Sequence, residues 1–408
     1  MRIIRISDLN HSFVGKSLFN GAELSVQDGR PAGIPDHIGL VGPNGCGKST
    51  FLKMLTGEVV PDSWTYEPMP GLKLGVLDQF ADIGENVTPE EYLDAVFEPL
   101  YETDRKIADI YEHIAEMPEE EQMKAAARAN RLSEWLDERE FDRIGKKIDS
   151  VLTGLGFTDT DRKKTAPQLS GGMKTKLTLA KLLLSDNDLL VLDEPTNFLD
   201  AGYIAWLGDY LSRYRGAFIV ISHDRAFLNR ISNKTVEIAN RKFKVYEGNY
   251  DYYVREKARR EAEQEKQSVA QEKFIARSEA YIAANSGEAY GGKSRSKATW
   301  LAKMLENLER IEHPDEIVKP QFAFRHERGA TKHIMTLDAL EVGYDGSPVL
   351  PPLSLSVERG EKLVFRGFNG IGKTTLFKTV DGDLPPVSGS VVFGEGIVSV
   401  FLRQEEDY

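Results

Sequence analysis

The spacing of apolar positions divides the chain into strand-like and helical stretches. Up to Val26 the apolar residues come in short alternating groups, Ile3, Ile4 and Ile6, then Leu18 and Phe19, then Leu24 and Val26. Alternation with a period of two predicts strands. Residues 38–41 are continuously apolar or small and predict a buried strand, with a helix continuing through Phe51–Leu55. Pro31, Gly33 and Pro35 make a strand unfavourable across residues 30–37. From about residue 86 the period becomes helical. Thr88-Pro89-Glu90-Glu91 forms a capping box with proline at the first helical position. Tyr92, Val96, Phe97 and Leu100 then recur at helical spacing, as do Ile107, Ile110, Tyr111 and Ile114, until Pro118 interrupts them. A charged, alanine-rich stretch over residues 119–141 predicts a further helix.

Residues 189–192 and 218–221 are unbroken apolar runs, as strands buried on both faces require. Residues 249–286 contain neither glycine nor proline and are dominated by charge, which predicts one helix of roughly 55 Å. Glycines at 287–292 break it, and Leu301, Met304, Leu305, Leu308 and Ile311 line one face of a second helix that Pro314 stops. The pair reads as a helical hairpin, and strands resume near Ile334.

The chemistry collects at the ends of the predicted strands. Gly42-Pro43-Asn44-Gly45-Cys46-Gly47-Lys48-Ser49-Thr50 follows the strand at 38–41. Glycines let backbone N–H groups turn inward around phosphates, the lysine reaches the β- and γ-phosphates, and the hydroxyl holds Mg²⁺. A second copy reads Gly367-Phe368-Asn369-Gly370-Ile371-Gly372-Lys373-Thr374-Thr375. The repetition is wider than the loops. Gln79 and Gln404 lie at the same distance after each loop, and an aromatic residue beside a glycine precedes each, Phe13 before Gly15 and Tyr344 before Gly346. One cassette has been duplicated. Between the copies, Asp193 and Glu194 end one buried strand and His223 follows another, where ligands sit in open α/β sheets. Gln168-Leu169-Ser170-Gly171-Gly172-Met173 precedes a helix, so a hydroxyl and free N–H groups form an anion site at its start.

Composition narrows the class. Hydrophobic content of 41% and charged content of 28% are ordinary for a globular protein. No apolar run approaches the roughly 18–20 residues that a membrane crossing needs, and the first ten residues lack the apolar core of a signal peptide. The single cysteine excludes an intramolecular disulfide and fits a reducing, cytoplasmic setting. A net charge of −12 means that any nucleic-acid contact must be local. Lys293, Arg295, Lys297 and Lys303 form such a patch beside the glycine turn, free of acids, with Tyr290 and Trp300 nearby.

Taken together, the two phosphate loops, Leu169-Ser170-Gly171-Gly172 and Asp193-Glu194-Pro195-Thr196-Asn197-Phe198-Leu199-Asp200 resemble the ATP-binding cassette superfamily. Tandem cassettes joined by a charged helical hairpin, without a membrane span, resemble its ABC-F branch. The resemblance implies an α/β P-loop NTPase fold. A first cassette covers 1–245 with an inserted helical subdomain at about 86–165, a hairpin linker covers 246–325, and part of a second cassette covers 326–408. It implies ATP and Mg²⁺ as cofactors and the ribosome, through rRNA and tRNA, as partner.

Residue by residue, it implies that Phe13 and Tyr344 stack on adenine, against the plainer reading of core aromatics. Gly42, Asn44, Gly45, Cys46, Gly47, Lys48, Ser49 and Thr50, with Gly367, Asn369, Gly370, Gly372, Lys373, Thr374 and Thr375, cradle phosphates. Ser49, Thr374, Gln79, Gln404 and Asp193 serve Mg²⁺, Glu194 is the general base, and His223 senses the γ-phosphate. Ser170, Gly171 and Gly172 meet a nucleotide held by the opposite cassette, and Asp200 lies on the inter-cassette loop. The hairpin tip reaches toward tRNA. Cys46 reads as a small filler, whose alkylation is expected to block ATP.

Three departures stand out. Met173 replaces the family's usual Gln, Phe198 replaces a common His, and the 408 residues end shortly after Gln404 without a second signature, Asp-Glu strand or switch histidine. The expectation is a piece of a longer chain. The alternative is two chains pairing head to tail through their first cassettes. In function, the alternative is a soluble energy subunit of a membrane transporter, and DNA-maintenance ATPases would carry longer coiled coils.

Overall fold

The computed structural model describes the chain except residues 31–32, 78–82, 198, 286–291, 309–331, 368–370 and 403–408, and the side chains of 292–295. It divides into two compact units, 1–317 and 318–408, described separately below.

The first unit opens with β1 (Arg2–Phe13) and β2 (Lys16–Gln27), followed by β3 (His37–Val41), α1 (Lys48–Leu55), β4 (Ser63–Pro68) and β5 (Leu74–Val76). Strands β1 and β2 form an antiparallel hairpin with several bulges, and β4 pairs with the other edge of β1. The short predicted groups of apolar residues are therefore two strands of 12 residues each, their alternation interrupted by bulges rather than by turns.

The helical insert contains α2 (Pro89–Asp94), α3 (Glu98–His113), α4 (Glu119–Asp137), α5 (Ile144–Gly154) and α6 (Asp159–Arg162). The capping box is formed as its sequence demands. Glu91 N–H donates to Thr88 Oγ1, and Thr88 N–H donates to Glu91 Oε2 at 2.8 Å. Pro118 caps α4 after the break at the end of α3. Helices α3 and α4 carry their own small core around Ile107, Ala129 and Leu136.

The chain then supplies α7 (Gly171–Leu184), β6 (Leu189–Asp193), α8 (Ala201–Ser212), β7 (Ala217–Ile221), α9 (Arg225–Ile231), β8 (Lys234–Ala239) and β9 (Lys242–Tyr246). The central sheet has the order β5-β6-β7-β3-β8-β9, parallel except for the β8–β9 pair. Its two-sided burial explains the unbroken apolar runs. Leu190, Leu192, Phe218 and Val220 face a core built with the helices, while Leu189, Val191, Ile219 and Ile221 face a second core with Ile38, Leu40, Phe51 and the β1–β2 hairpin.

Helix α10 (Tyr250–Asn285) runs for 36 residues and packs with α11 (Gly292–Glu306). Ala298 and Leu301 are buried, whereas Lys297, Trp300 and Lys303 are exposed. Of the predicted apolar face, Ile311 lies outside the described residues, as does Pro314. The base of α10 is pinned to the sheet by a buried carboxylate. Glu237 accepts from Tyr253 Oη at 3.1 Å and Tyr246 Oη at 3.2 Å, and pairs with Lys257 Nζ at 2.5 Å. Burial alone would lower Lys257, but the Glu237 carboxylate outweighs it and Lys257 is raised.

The second unit contains β10 (His333–Glu341), β11 (Gly343–Tyr344), β12 (Ser347–Pro348), β13 (Leu353–Glu358), α12 (Lys373–Asp381) and β14 (Ser388–Phe393). Its sheet, β13-β10-β14, repeats the antiparallel order β2-β1-β4 of the first unit. Leu337, Leu340, Val342 and Leu376 form its core.

Candidate nucleotide site

Register brings the loop and the acidic strand end together. In the central sheet β6, β7 and β3 are adjacent, with Gly39 opposite Val220 and Ile221 opposite Asp193. Gly42, His223 and Glu194 therefore leave the sheet at the same edge, within about two strand spacings, on the order of 10 Å.

The loop owes its shape to glycine at two places. Gly47 caps α1 with φ +105, and a Cβ there would approach the Phe19 ring at 3.1 Å. Gly42 has φ +154, and a Cβ would meet Cys46 Sγ at 2.8 Å and the Ile238 carbonyl at 3.0 Å. Lys48 Nζ donates to the carbonyls of Gly42 at 2.9 Å and Pro43 at 3.1 Å, which holds the ammonium across the loop. Asn44, Gly45 and Ser49 are exposed, and Thr50 is half-buried. Cys46 is half-buried, and burial pushes its thiol up.

Beyond β6, Glu194 takes a left-handed φ of +47, a strained conformation for a residue with a Cβ. Its backbone N–H donates to Ile221 O at 3.0 Å. Its side chain is only 17% exposed, and Oε2 accepts from the His223 backbone N–H at 3.2 Å. Oε1 is buried without a hydrogen bond, although His223 Nε2 stands 3.4 Å from it. A buried carboxylate oxygen without a hydrogen-bond donor suits a group that takes a proton from water. Thr196 and Ser222 join the two strand ends through their hydroxyls at 3.0 Å. Sequence reasoning passed over this pair, and its signal was only a hydroxyl two residues after Glu194 and another immediately before His223.

Oxygen ligands suit Mg²⁺, which is usually held by one or two carboxylates together with substrate phosphates. The Ser49 hydroxyl and the half-buried Asp193 carboxylate offer that chemistry. Among the described residues no cluster of three or more acidic, histidine or cysteine side chains forms a self-sufficient metal site. Gln79, Gln404, Asn369, Gly370 and Phe198 lie outside the described residues.

Ser170 caps α7, accepting from Met173 N–H at 3.3 Å, and Ser170, Gly171 and Gly172 are all exposed. No atom lies within 4 Å of a Cβ built on either glycine, so close backbone approach is available to an outside group. Asp200 stands at the amino-terminal cap of α8, and its charge partly offsets the burial that lowers Lys176.

Phe13 is 63% exposed and Tyr344 is 51% exposed, so neither is a core aromatic. Each sits at a hairpin turn with paired left-handed residues, Val14 and Gly15 in one and Asp345 and Gly346 in the other. Thr375 Oγ1 lies 3.4 Å from Tyr344 Oη, which ties that ring to the helix after the second loop. In that loop Lys373 Nζ donates to Gly367 O at 2.7 Å, and Thr374 is exposed. Of the basic hairpin residues, Lys297 lies 5.0 Å over the Tyr281 ring, and Lys303 points to solvent. The side chains of Lys293 and Arg295 are outside the description.

Comparison with known proteins places these features in context. A family model described as ABC transporter matches residues 33–197 and 350–406, and a second with the same description matches residues 236–324. An ABC transporter ATP-binding protein named YfmM, from Bacillus subtilis (strain 168), is 35% identical over 99% of this chain and 76% of its own length. A putative ATP-binding protein, YdiF, from the same organism is 31% identical over 100% of this chain and 62% of its own length. ABC transporter F family member 2 of Arabidopsis thaliana is 31% identical over 96% of this chain and 57% of its own length.

Proposed function

We propose a function that proceeds from one premise: the chain belongs to the ABC transporter ATP-binding family, and its relatives place it with the ABC-F type. Cassettes of this family are ATPases. ATP binds the first loop through Lys48 and the backbone of residues 42–50, and Ser49 and Asp193 would hold Mg²⁺, which would offset the charge of the phosphates. Glu194 draws the proton from the attacking water, and His223 beside it reads the γ-phosphate. Ser170 and the free N–H groups of Gly171 and Gly172 take the nucleotide of an opposing cassette. ATP then joins two half-sites, and hydrolysis separates them. The second half-site comes from that opposing cassette.

The observation that carries this reading is Glu194, half-buried and strained, hydrogen-bonded to the backbone of His223 at the edge where the phosphate loop begins. Glu194→Gln tests it. With ATP, the variant is expected to lose hydrolysis and retain the nucleotide in a closed form detected by size measurement. Retained hydrolysis would sink the assignment.

The partner follows as a finer proposal. The basic residues Lys293, Arg295, Lys297 and Lys303 near the hairpin turn suit ribosomal RNA or tRNA, and closure controls translation or protects the ribosome. Ribosome co-sedimentation with ATP in the Glu194→Gln background, before and after reversing the four charges, tests that assignment. Unchanged pelleting would remove the tip from the interface, and no pelleting at all would favour the transporter reading. No described helix is long and apolar enough to cross a membrane.

A further inference from the structure

The opposite edge of the central sheet carries a cleft of about 1160 Å³. Lys73 precedes β5, Ser185–Asn187 precede β6 and Gly216 precedes β7, so the cleft opens at the amino-terminal ends of the strands, away from the phosphate loop. Trp206 and Tyr210 of α8 form one part of its lining, and Trp135 of α4 forms another. The Tyr210 hydroxyl donates to the Leu183 carbonyl at 2.9 Å. The Trp206 and Tyr210 rings lie 5.4 Å apart, Arg139 lies 4.1 Å over the Trp135 ring, and all three aromatics are half-buried.

The charge in this cleft departs from that of the whole chain. Its carboxylates are already engaged: Glu138 with Arg139 at 3.8 Å, Glu140 with Lys147 at 3.0 Å, Asp186 with Lys73 at 3.8 Å, and Asp209 with Arg230. Arg213 and Arg215, by contrast, are exposed and have no ion-pair partner among the described residues. Two exposed guanidinium groups without a close ion pair, one of them (Arg215) near enough to favour the Glu140 carboxylate, stand beside aromatic rings on a chain of net charge −12 and select a ligand that is anionic and flat at once. Unpaired nucleotides combine those properties, since bases stack on aromatic side chains and phosphates take the forked donors of arginine.

We propose that this cleft binds single-stranded RNA, with a base stacked in the aromatic lining and the adjoining phosphates held by Arg213 and Arg215. The surface is distinct from both the phosphate loop and the hairpin tip. It requires neither to be correct.

The test is fluorescence anisotropy with a labelled uridine octamer. The parent is the full 408-residue chain with Lys293, Arg295, Lys297 and Lys303 changed to Glu, which removes the other basic surface. Arg213→Glu with Arg215→Glu is expected to weaken binding roughly 10-fold and to flatten the salt dependence by about 1.4 in log–log slope, two phosphates at about 0.7 each. Both arginines are exposed, so the fold should be kept, and thermal melting checks this. Trp135→Phe should retain binding, whereas Trp135→Ala should lose about 5-fold or more with the slope unchanged. Equal affinity and slope after the double reversal would overturn the proposal. So would no binding by the parent, equal binding of a duplex, or competition by uridine monophosphate as strong as by the octamer.

Discussion

The two phosphate loops share a glycine helix cap and a lysine that turns back, yet the segments that feed them differ. Gly47 and Gly372 cap their helices with φ of +105 and +106, and both lysines reach back to the carbonyl of the first loop glycine. Ahead of the first loop, Ile38 is 0% exposed in a strand paired on both sides. At the matching position ahead of the second loop, Leu363 is 47% exposed and belongs to no strand. Val398 and Val400, whose counterparts precede or enter β5, are exposed as well. The partners of β3 and β5 come from β6, β7 and β8, far along the chain. A loop and its helix are thus locally encoded, while the strand that carries them depends on distant partners.

The largest expected effect separates the two strands directly. Ile38→Ala should cost about 2–5 kcal/mol in denaturant unfolding of the first unit, as a fully buried aliphatic side chain does. Leu363→Ala should change stability by under about 0.5 kcal/mol. Comparable losses would erase the contrast. Next in size is nucleotide affinity. Lys48→Ala should weaken binding of a fluorescent ATP analogue roughly 100-fold, and Lys373→Ala by less than about 3-fold, because the first loop follows a strand paired on both sides and the second follows residues in no strand. Equal losses measured by titration would erase the difference between the two sites.

Smaller and more symmetrical is the glycine test. Gly47→Ala and Gly372→Ala each force a Cβ into a left-handed conformation and against a neighbour, Phe19 in one case and Val349 at 2.9 Å in the other. Each should cost about 1–2 kcal/mol, read as melting of its own unit. A cost at only one would mean that the caps are not equivalent.

The smallest effect is one of pH. Asp28, at the end of β2, is held down at about 2. Burial opposes ionisation there, but the Met1 ammonium and Arg30 outweigh it. Its folded value lies below the ordinary 3.8, so its contribution is complete above about pH 4 and is lost as pH falls through about 2. Asp28→Asn should lower stability by about 1 kcal/mol near neutrality and flatten the acid limb of the first unit's unfolding curve. An unchanged acid limb would remove Asp28 from the account.

Several features were legible from residue order because their causes are local. The glycine spacing of both loops, the Thr88 capping box, the Pro118 break and the glycine-free run that becomes α10 each depend on neighbours a few residues away. The unbroken apolar runs likewise announced strands covered on both faces. Tertiary structure alone decided that Glu194 is strained and half-buried against the His223 backbone, and that Glu237 anchors the base of α10. It also decided that aromatic rings and exposed arginines meet at the far edge of the sheet. Those outcomes depend on strand order and register among segments far apart in the chain. Residue spacing constrains each segment's own period, but it does not state which segments lie side by side.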